Sequence, residues 1–320
     1  MAKTGSAMLA YLAAAFAIVV WSVTFASTRA LLVEFSAFEI LIVRFVLAWA
    51  ALWGVEWFQR RDGQGEGAAR PAVCSEWLFA GMGFTGIVLY QFLENCAVYY
   101  TNASNVAILV SFVPIATAVI ARIVLKDRSL SLSLVIGSLV AIFGVAVVSV
   151  GSTIELQVRP IGDLMALVAM LSWGFYSILV DIVNERGVKP IVAMRKSFGW
   201  SLVIMAPFAL WGATECGSRA LDGVFGVSLA AAENASRFSA VGNLANFAFL
   251  GLIASAASFA LWNFACKAIG MVKATIGLYF TPIVGVAFAV MFLGEPLTLS
   301  GVFGGVLILV GVFIATANRR

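Results

Sequence analysis

The sequence predicts an all-α integral membrane protein of ten transmembrane helices, arranged as two inverted five-helix repeats. Three observations carry that expectation. Of 320 residues, 62% are hydrophobic and only 11% charged, and the mean hydropathy is +1.03. A soluble domain of this length cannot hide so much apolar surface in its own core, whereas a bilayer is itself an apolar solvent. Apolar runs near the ~20 residues needed to cross hydrocarbon recur along the chain. The first half of the chain also echoes the second.

The runs lie at 8–30, 37–59, 77–99, 104–124, 131–150, 161–183, 190–212, 242–265, 272–293 and 298–317. The first follows Lys3 as a signal peptide would, but nine further apolar segments come after it, so it reads as a span. Lys and Arg in the loops set the orientation. With a cytoplasmic N-terminus, the inside segments hold thirteen basic residues, among them Arg60, Arg61, Arg186 and Lys273, and the outside segments hold four: Arg29, Arg159, Arg219 and Arg237. Both termini are then expected in the cytoplasm of a bacterial inner membrane. Arg44, Arg195 and Lys196 fall inside spans two and seven and are expected to snorkel or to pair with backbone rather than bind substrate, with a carboxylate as the alternative partner of Arg44.

Composition also excludes. The net charge of +4 comes from loop residues without an interleaved aromatic patch, so membrane topology explains it and no nucleic-acid partner is expected. Histidine is absent, and Cys74, Cys96, Cys216 and Cys266 form no CxxC, so neither a metal site, a cofactor nor a disulfide framework is expected. With no GxSxG, no zinc-ligand spacing and no phosphate-binding glycine loop, the chain is not read as an enzyme.

The repeat is visible residue by residue. Trp21-Ser22 answers to Trp173-Gly174 at a shift of 152, which also superposes Arg44 on Lys196. Asn95 to Pro114 answers to Asn263 to Pro282 at a shift of 168, matching Phe112 with Phe280 and Pro114-Ile115 with Pro282-Ile283. The expected repeats are 1–150 and 151–320. An odd number of spans in each places the halves in opposite orientation, the plan of secondary transporters, with a substrate site near the midplane. The prolines remove a backbone donor and are expected to kink spans four and nine.

The stretch from Leu278 through Pro282 to Leu293-Gly294-Glu295-Pro296-Leu297, with Ala97 to Asn105 and Pro114 as its first-half counterpart, resembles the EamA-type carriers of the drug/metabolite transporter superfamily. The first half departs from them in having Lys126-Asp127 where the second has Gly294-Glu295. By overall similarity the chain looks most like the YddG-type exporters of aromatic amino acids. That resemblance implies a basket of helices around a central cavity lined mainly by spans one, three, four, six, eight and nine. It also implies efflux of Phe, Tyr, Trp or related compounds, the alternative being a drug, nucleobase or other metabolite efflux carrier of the same fold, with proton coupling open to it.

Aromatic and polar side chains at lipid depth are expected to face the bundle interior. Trp21, Tyr90, Trp173, Trp262 and Tyr279 are the expected walls of an aromatic chamber suited to a planar side chain, with Phe25 and Tyr176 beside them. Thr85, Asn95, Asn246, Ser255 and Ser258 are the expected polar partners of an amino-acid head group. Glu39, Glu56, Glu94 and Asp181 all lie toward helix ends, so transport is expected to be facilitated diffusion by alternating access rather than proton-coupled. The glycines of span ten, Gly301, Gly304, Gly305 and Gly311, read as close helix packing, within a monomer or across a homodimer.

Overall fold

The computed structural model describes residues 2–61, 74–101, 103–126, 130–150, 159–212, 235–292 and 298–317. Helices dominate them. Two long rods, α1 (Ala2–Leu31) and α2 (Ala37–Arg61), open the chain. The third, α3, runs over 76–100 as Glu76–Met82, a π-helical stretch Gly83–Leu89, and Tyr90–Tyr100. The fourth, α4, covers 103–124 and is interrupted between Ala103–Val110 and Val113–Val124. Then follow α5 (Leu132–Val150), α6 (Pro160–Glu185) and α7 (Pro190–Gly212).

After a short 3₁₀ turn, Ala235–Ser239, α8 covers 241–269 as Val241–Ala248, a second π stretch Phe249–Ala257, and Ser258–Ile269. The ninth, α9, covers 271–292 as Met271–Ile276, a 3₁₀ turn Gly277–Phe280, and Thr281–Phe292. Leu299–Ala317 forms α10. The Leu293–Leu297 motif, Asn102, Asp127 and Cys216 lie outside the described residues.

Among the described residues, eight stretches are long and apolar enough to cross a membrane: Ala7–Thr24, Phe38–Arg61, Val106–Val124, Leu132–Ser149, Pro160–Glu185, Val241–Ile269, Met271–Phe288 and Leu299–Ala317. The other two expected spans correspond to α3 and α7, which are helical throughout but diluted by polar residues, Gln91, Glu94 and Asn95 in one and Arg195 and Lys196 in the other. Large apolar side chains cover the outside of the bundle, among them Leu9, Leu12 and Phe16 on α1, Phe143 on α5 and Phe313 on α10. Lipid is their natural solvent. The tryptophans divide by position. Trp53, Trp57, Trp77 and Trp211 are exposed, whereas Trp173 and Trp262 are buried and Trp21 half-buried in the interior.

The packing follows a pairwise scheme. α1 lies on α8 and α3 on α6; α2 lies on α7, and α5 on α10. In addition α2 packs on the π stretch of α8, and α7 packs on the π stretch of α3. Glycines permit both of these last contacts. A Cβ on Gly83 would stand 2.5 Å from the Ser197 carbonyl oxygen, and one on Gly251 would stand 2.5 Å from Leu47 Cβ. Each π stretch widens the helix by one residue per turn, and its tight i→i+5 closure is visible where Tyr90 N–H donates to the Thr85 carbonyl and Ser258 N–H to that of Ile253.

Pro114 and Pro282 each stand in the first turn of the helical segment that follows an interruption, Ser111-Phe112 in α4 and Gly277–Phe280 in α9. Loss of the proline N–H and the ring's clash with the preceding turn place the break on that side. Gly137 and Gly144 of α5 meet Gly311, Ala315 and Gly304 of α10 backbone to backbone. Two of the α10 glycines thus serve an intramolecular seam, while Gly305 has open space around it.

Overpacking a close helix crossing costs about 1–3 kcal/mol. Gly311→Leu is therefore expected to lower the melting temperature in detergent by on the order of 5 °C. Gly305→Leu, on the same helix, should leave it unchanged.

Candidate functional site

An aromatic cluster fills the centre of the bundle. Trp21 of α1 stands 5.8 Å, centroid to centroid, from Trp173 of α6, 5.2 Å from Phe259 and 5.3 Å from Trp262, both of α8. Tyr90 of α3 lies 4.7 Å from Trp173, and Tyr176 lies 5.1 Å from it on the same helix. All five pairs are edge-on or tilted, and edge-on contact is an arrangement that ring quadrupoles favour. Four helices thus bring together four of the five expected walls, and the rings touch one another as a packed cluster.

The fifth expected wall does not join them. Tyr279 is buried in a separate cluster with Leu134, Ile142 and Ile308, against α5 and α10, while its neighbours Leu278 and Phe280 face the aromatic core. The 3₁₀ turn Gly277–Phe280 is the cause, since three residues per turn re-aim side chains relative to a 3.6-residue helix. Phe25 belongs to α1, but its side chain lies outside what the structure describes.

Hydrogen bonds fix the stack. The Trp21 indole N–H donates to the Ala254 carbonyl at 2.9 Å. Asn263 donates to Tyr176 Oη at 3.2 Å and to the Phe259 carbonyl at 3.2 Å. The indole N–H groups of Trp173 and Trp262 are buried with no acceptor among the described residues. A buried donor left unpaired costs free energy that a ligand acceptor would recover.

Next to the stack lies a polar patch. Arg44 of α2 is only 7% exposed; its Nε donates to Ser255 Oγ at 2.5 Å and its Nη1 to Gln91 Oε1 at 3.1 Å. Tyr90 Oη donates to Glu94 Oε1 at 2.9 Å, and the Glu94 carboxylate attracts the Arg44 guanidinium electrostatically. Chain neighbours join the two patches: Ser255 follows the Ala254 that holds Trp21, and Tyr90, which touches Trp173, precedes Gln91.

The other expected polar residues have local work. Thr85 Oγ1 donates to the Gly81 carbonyl, and the Thr85 carbonyl in turn accepts from Ser172 of α6. Ser258 Oγ closes the π stretch by donating to Ile253 O at 2.8 Å. Asn246 accepts from Ser27 at 2.6 Å and joins α8 to α1. Asn95 is half-buried one turn beyond Gln91. Arg44 and Gln91 are within reach of the sequence, Arg44 as a group with a carboxylate as alternative partner and Gln91 as a polar residue of span three; Phe259 carries no such signal, and Glu94 is tied to the patch by Tyr90, four residues earlier on one helical face.

Ion pairs close both ends. Glu56 of α2 binds Arg195 of α7 and Arg60, and Glu76 of α3 binds Lys196 and Trp200 of α7. These cations pair with side chains, not with backbone or headgroups as expected from sequence. At the opposite end, Arg237 donates to Glu39 at 2.5 Å and to the Glu34 carbonyl, strapping the α1–α2 turn to the entry of α8. An apolar cleft of about 280 Å³ between α2 and α7, lined by Ile42, Leu202, Met205 and Ala209 among others, offers no polar partner.

Comparison with known proteins places this architecture. The EamA-like transporter family matches the chain twice, over residues 8–150 and 160–317. A probable terminal-alkyne amino-acid exporter of Streptantibioticus cattleyicolor is 27% identical over 255 residues, covering 79% of this chain and 77% of that one. The uncharacterised transporter YyaM of Bacillus subtilis is 28% identical over 75% of this chain and 72% of its own. An uncharacterised transporter of Archaeoglobus fulgidus is 22% identical over 97% and 98% respectively. One crystal structure superposes with a TM-score of 0.68 at 18% identity, covering 97% of this chain and 99% of that one.

The Glu56–Arg195 pair separates from its exposed neighbour by mutation. Glu56→Ala leaves Arg195 without its partner and should cost about 2 kcal/mol, whereas Arg60→Ala, at an exposed guanidinium, should cost about 0.5 kcal/mol or less. Melting of the purified variants in detergent checks the order.

Proposed function

We infer the function from the family to which this chain belongs: it is a member of the EamA-like transporter family, a membrane transporter and not an enzyme. Within that family we propose that it exports aromatic amino acids and similar amphipathic metabolites across the bacterial inner membrane. The observation that carries the substrate class is the stack of Trp21, Tyr90, Trp173 and Trp262, four rings from four helices at the centre of the bundle. Such walls gain from stacking and from desolvating a planar side chain. The amino-acid exporter of Streptantibioticus cattleyicolor supports the amino-acid part of the reading. Its description also favours a second substrate, an amino acid with a terminal-alkyne side chain, whose π-electrons would lie against the same rings.

The proposed architecture is ten spans in two inverted repeats, 1–150 and 151–320, with both termini cytoplasmic. Support comes from the packing scheme. Exchanging helices one to five with six to ten turns the α1–α8 contact into α6–α3, and the contact of α2 with the α8 π stretch into that of α7 with the α3 π stretch. Alternating access then consists of rocking between the halves, with the Glu56–Arg195 end and the Glu39–Arg237 end parting in turn. Transport is facilitated diffusion, in one copy or two.

Uptake of labelled phenylalanine, tryptophan and several non-aromatic amino acids into proteoliposomes, with and without a pH gradient, tests the reading. Saturable aromatic uptake without the gradient is expected. Trp21→Ala and Trp173→Ala should each raise KM about tenfold, the equivalent of one lost aromatic contact. Uptake confined to non-aromatic substrates would move the side-chain assignment. Uptake only under a pH gradient would overturn facilitated diffusion.

A further inference from the structure

The buried charges beside the stack have no role in the aromatic reading as it stands. Arg44 is a cation 7% exposed in the interior of a bundle surrounded by apolar side chains. Its two hydrogen bonds go to neutral acceptors, Ser255 and Gln91, and among the described residues its Nη2 has none. The facing carboxylate, Glu94, takes its hydrogen bond from Tyr90. The two opposite charges attract across the site, yet among the described residues they form no direct ion pair.

A buried cation costs several kcal/mol unless an anion answers it directly. Here the anion lies one helical turn from Gln91, the guanidinium's acceptor on α3, and bonds Tyr90 instead of the cation. The Tyr90 ring touches Trp173, whose N–H is buried without an acceptor among the described residues.

We propose that Arg44 and Glu94 are the head-group site for a zwitterionic amino acid, Arg44 taking the α-carboxylate and Glu94 the α-ammonium. The proposal deepens the amino-acid reading above and rests on it. A zwitterion placed between a separated cation and anion gives four alternating charges and leaves none unmatched. An amine without a carboxylate leaves Arg44 as it is and repels it; an acid without an ammonium does the same at Glu94. The site therefore selects for both ends of the head group, while the rings select the side chain. Gln91 and Ser255 act as positioning residues that hold the guanidinium plane, and Tyr90 positions the Glu94 carboxylate while its ring forms a wall of the stack.

The test is competition against labelled-substrate uptake by phenylalanine, phenethylamine and 3-phenylpropionate in proteoliposomes, repeated with leucine, 3-methylbutylamine and 4-methylpentanoate. Wild-type protein should prefer phenylalanine over both analogues by about tenfold or more, since each analogue leaves a buried charge unpaired. Arg44→Gln should lose that factor for phenylalanine while phenethylamine changes little; Glu94→Gln should do the converse with 3-phenylpropionate. Arg44→Lys should keep the preference for the zwitterion.

Equal losses for all three ligands in Arg44→Gln would make Arg44 structural and overturn the proposal. So would a wild-type protein that binds amine or acid as well as the amino acid, a result that needs no variant to fold. If only the leucine series shows the pattern, the aromatic assignment fails and the head-group site stands. If neither series competes, both fall.

Discussion

A charge inside a bundle that lipid surrounds has to be answered from within the bundle, and the interior of this protein is arranged around that constraint. Lipid offers no hydrogen bonds and no screening water, so every polar atom at depth needs a protein partner. Arg44 meets part of this demand through three helices, reaching the neutral acceptors Ser255 on α8 and Gln91 on α3 from its place on α2. The aromatic stack depends on the same residues. The carbonyl that holds Trp21 adjoins Ser255, and the ring that touches Trp173 belongs to the tyrosine that holds Glu94. Moving α3 or α8 would break both sets of contacts together, which couples the polar patch to the rings.

The π stretches make this convergence geometrically possible. An i→i+5 turn inserts a residue and re-aims every side chain after it. In α3 the stretch ends just before Tyr90, and in α8 it contains Ala254 and Ser255. Gly83 lets α7 close on the stretch in α3, and Gly251 lets α2 close on that in α8, where Arg44 meets Ser255. Such turns are weaker than α-helical ones, and here each is reinforced by a side-chain hydroxyl: Ser172 on the Thr85 carbonyl, Ser258 on Ile253.

How much of this could be read from sequence depends on which signal each feature leaves. Helical class, the tryptophans of the core and the small-residue seam of α10 follow from hydropathy and residue size, and the tryptophans Trp21 and Trp173 stood out because the duplication pairs them. The same shift pairs Arg44 with Lys196, but α2 is apolar on all sides and a linear pattern does not say which of its faces is interior. Glu94 lies near a helix end in sequence, and only the fold turns it toward Arg44 and not toward water. Tyr279 lies in the α5–α10 cluster, on a 3₁₀ turn that is invisible in composition. Hydrophobicity identifies depth well; azimuth around the helix is set by neighbours that only the tertiary structure supplies.

Under the proposed repeat, the two halves are alike in packing and unlike in chemistry, and that difference is what makes an amphipathic site. A shift of 168 carries Tyr90 onto Ser258, Gln91 onto Phe259, Glu94 onto Trp262 and Asn95 onto Asn263. A shift of 152 carries Arg44 onto Lys196, which pairs with Glu76 at the bundle end and leaves the centre alone. At two of these places, then, the first half presents an amide and a charge, Gln91 and Glu94, where the second presents the rings of Phe259 and Trp262, while Asn is common to both. Had both halves kept the charges, the centre would be a polar cavity with more ions to desolvate; had both kept the rings there, nothing would answer an amino-acid head group. Under the proposed repeat, duplication supplies a two-sided scaffold, and divergence at these two positions of α3 and α8 divides recognition between the two ends of one small molecule.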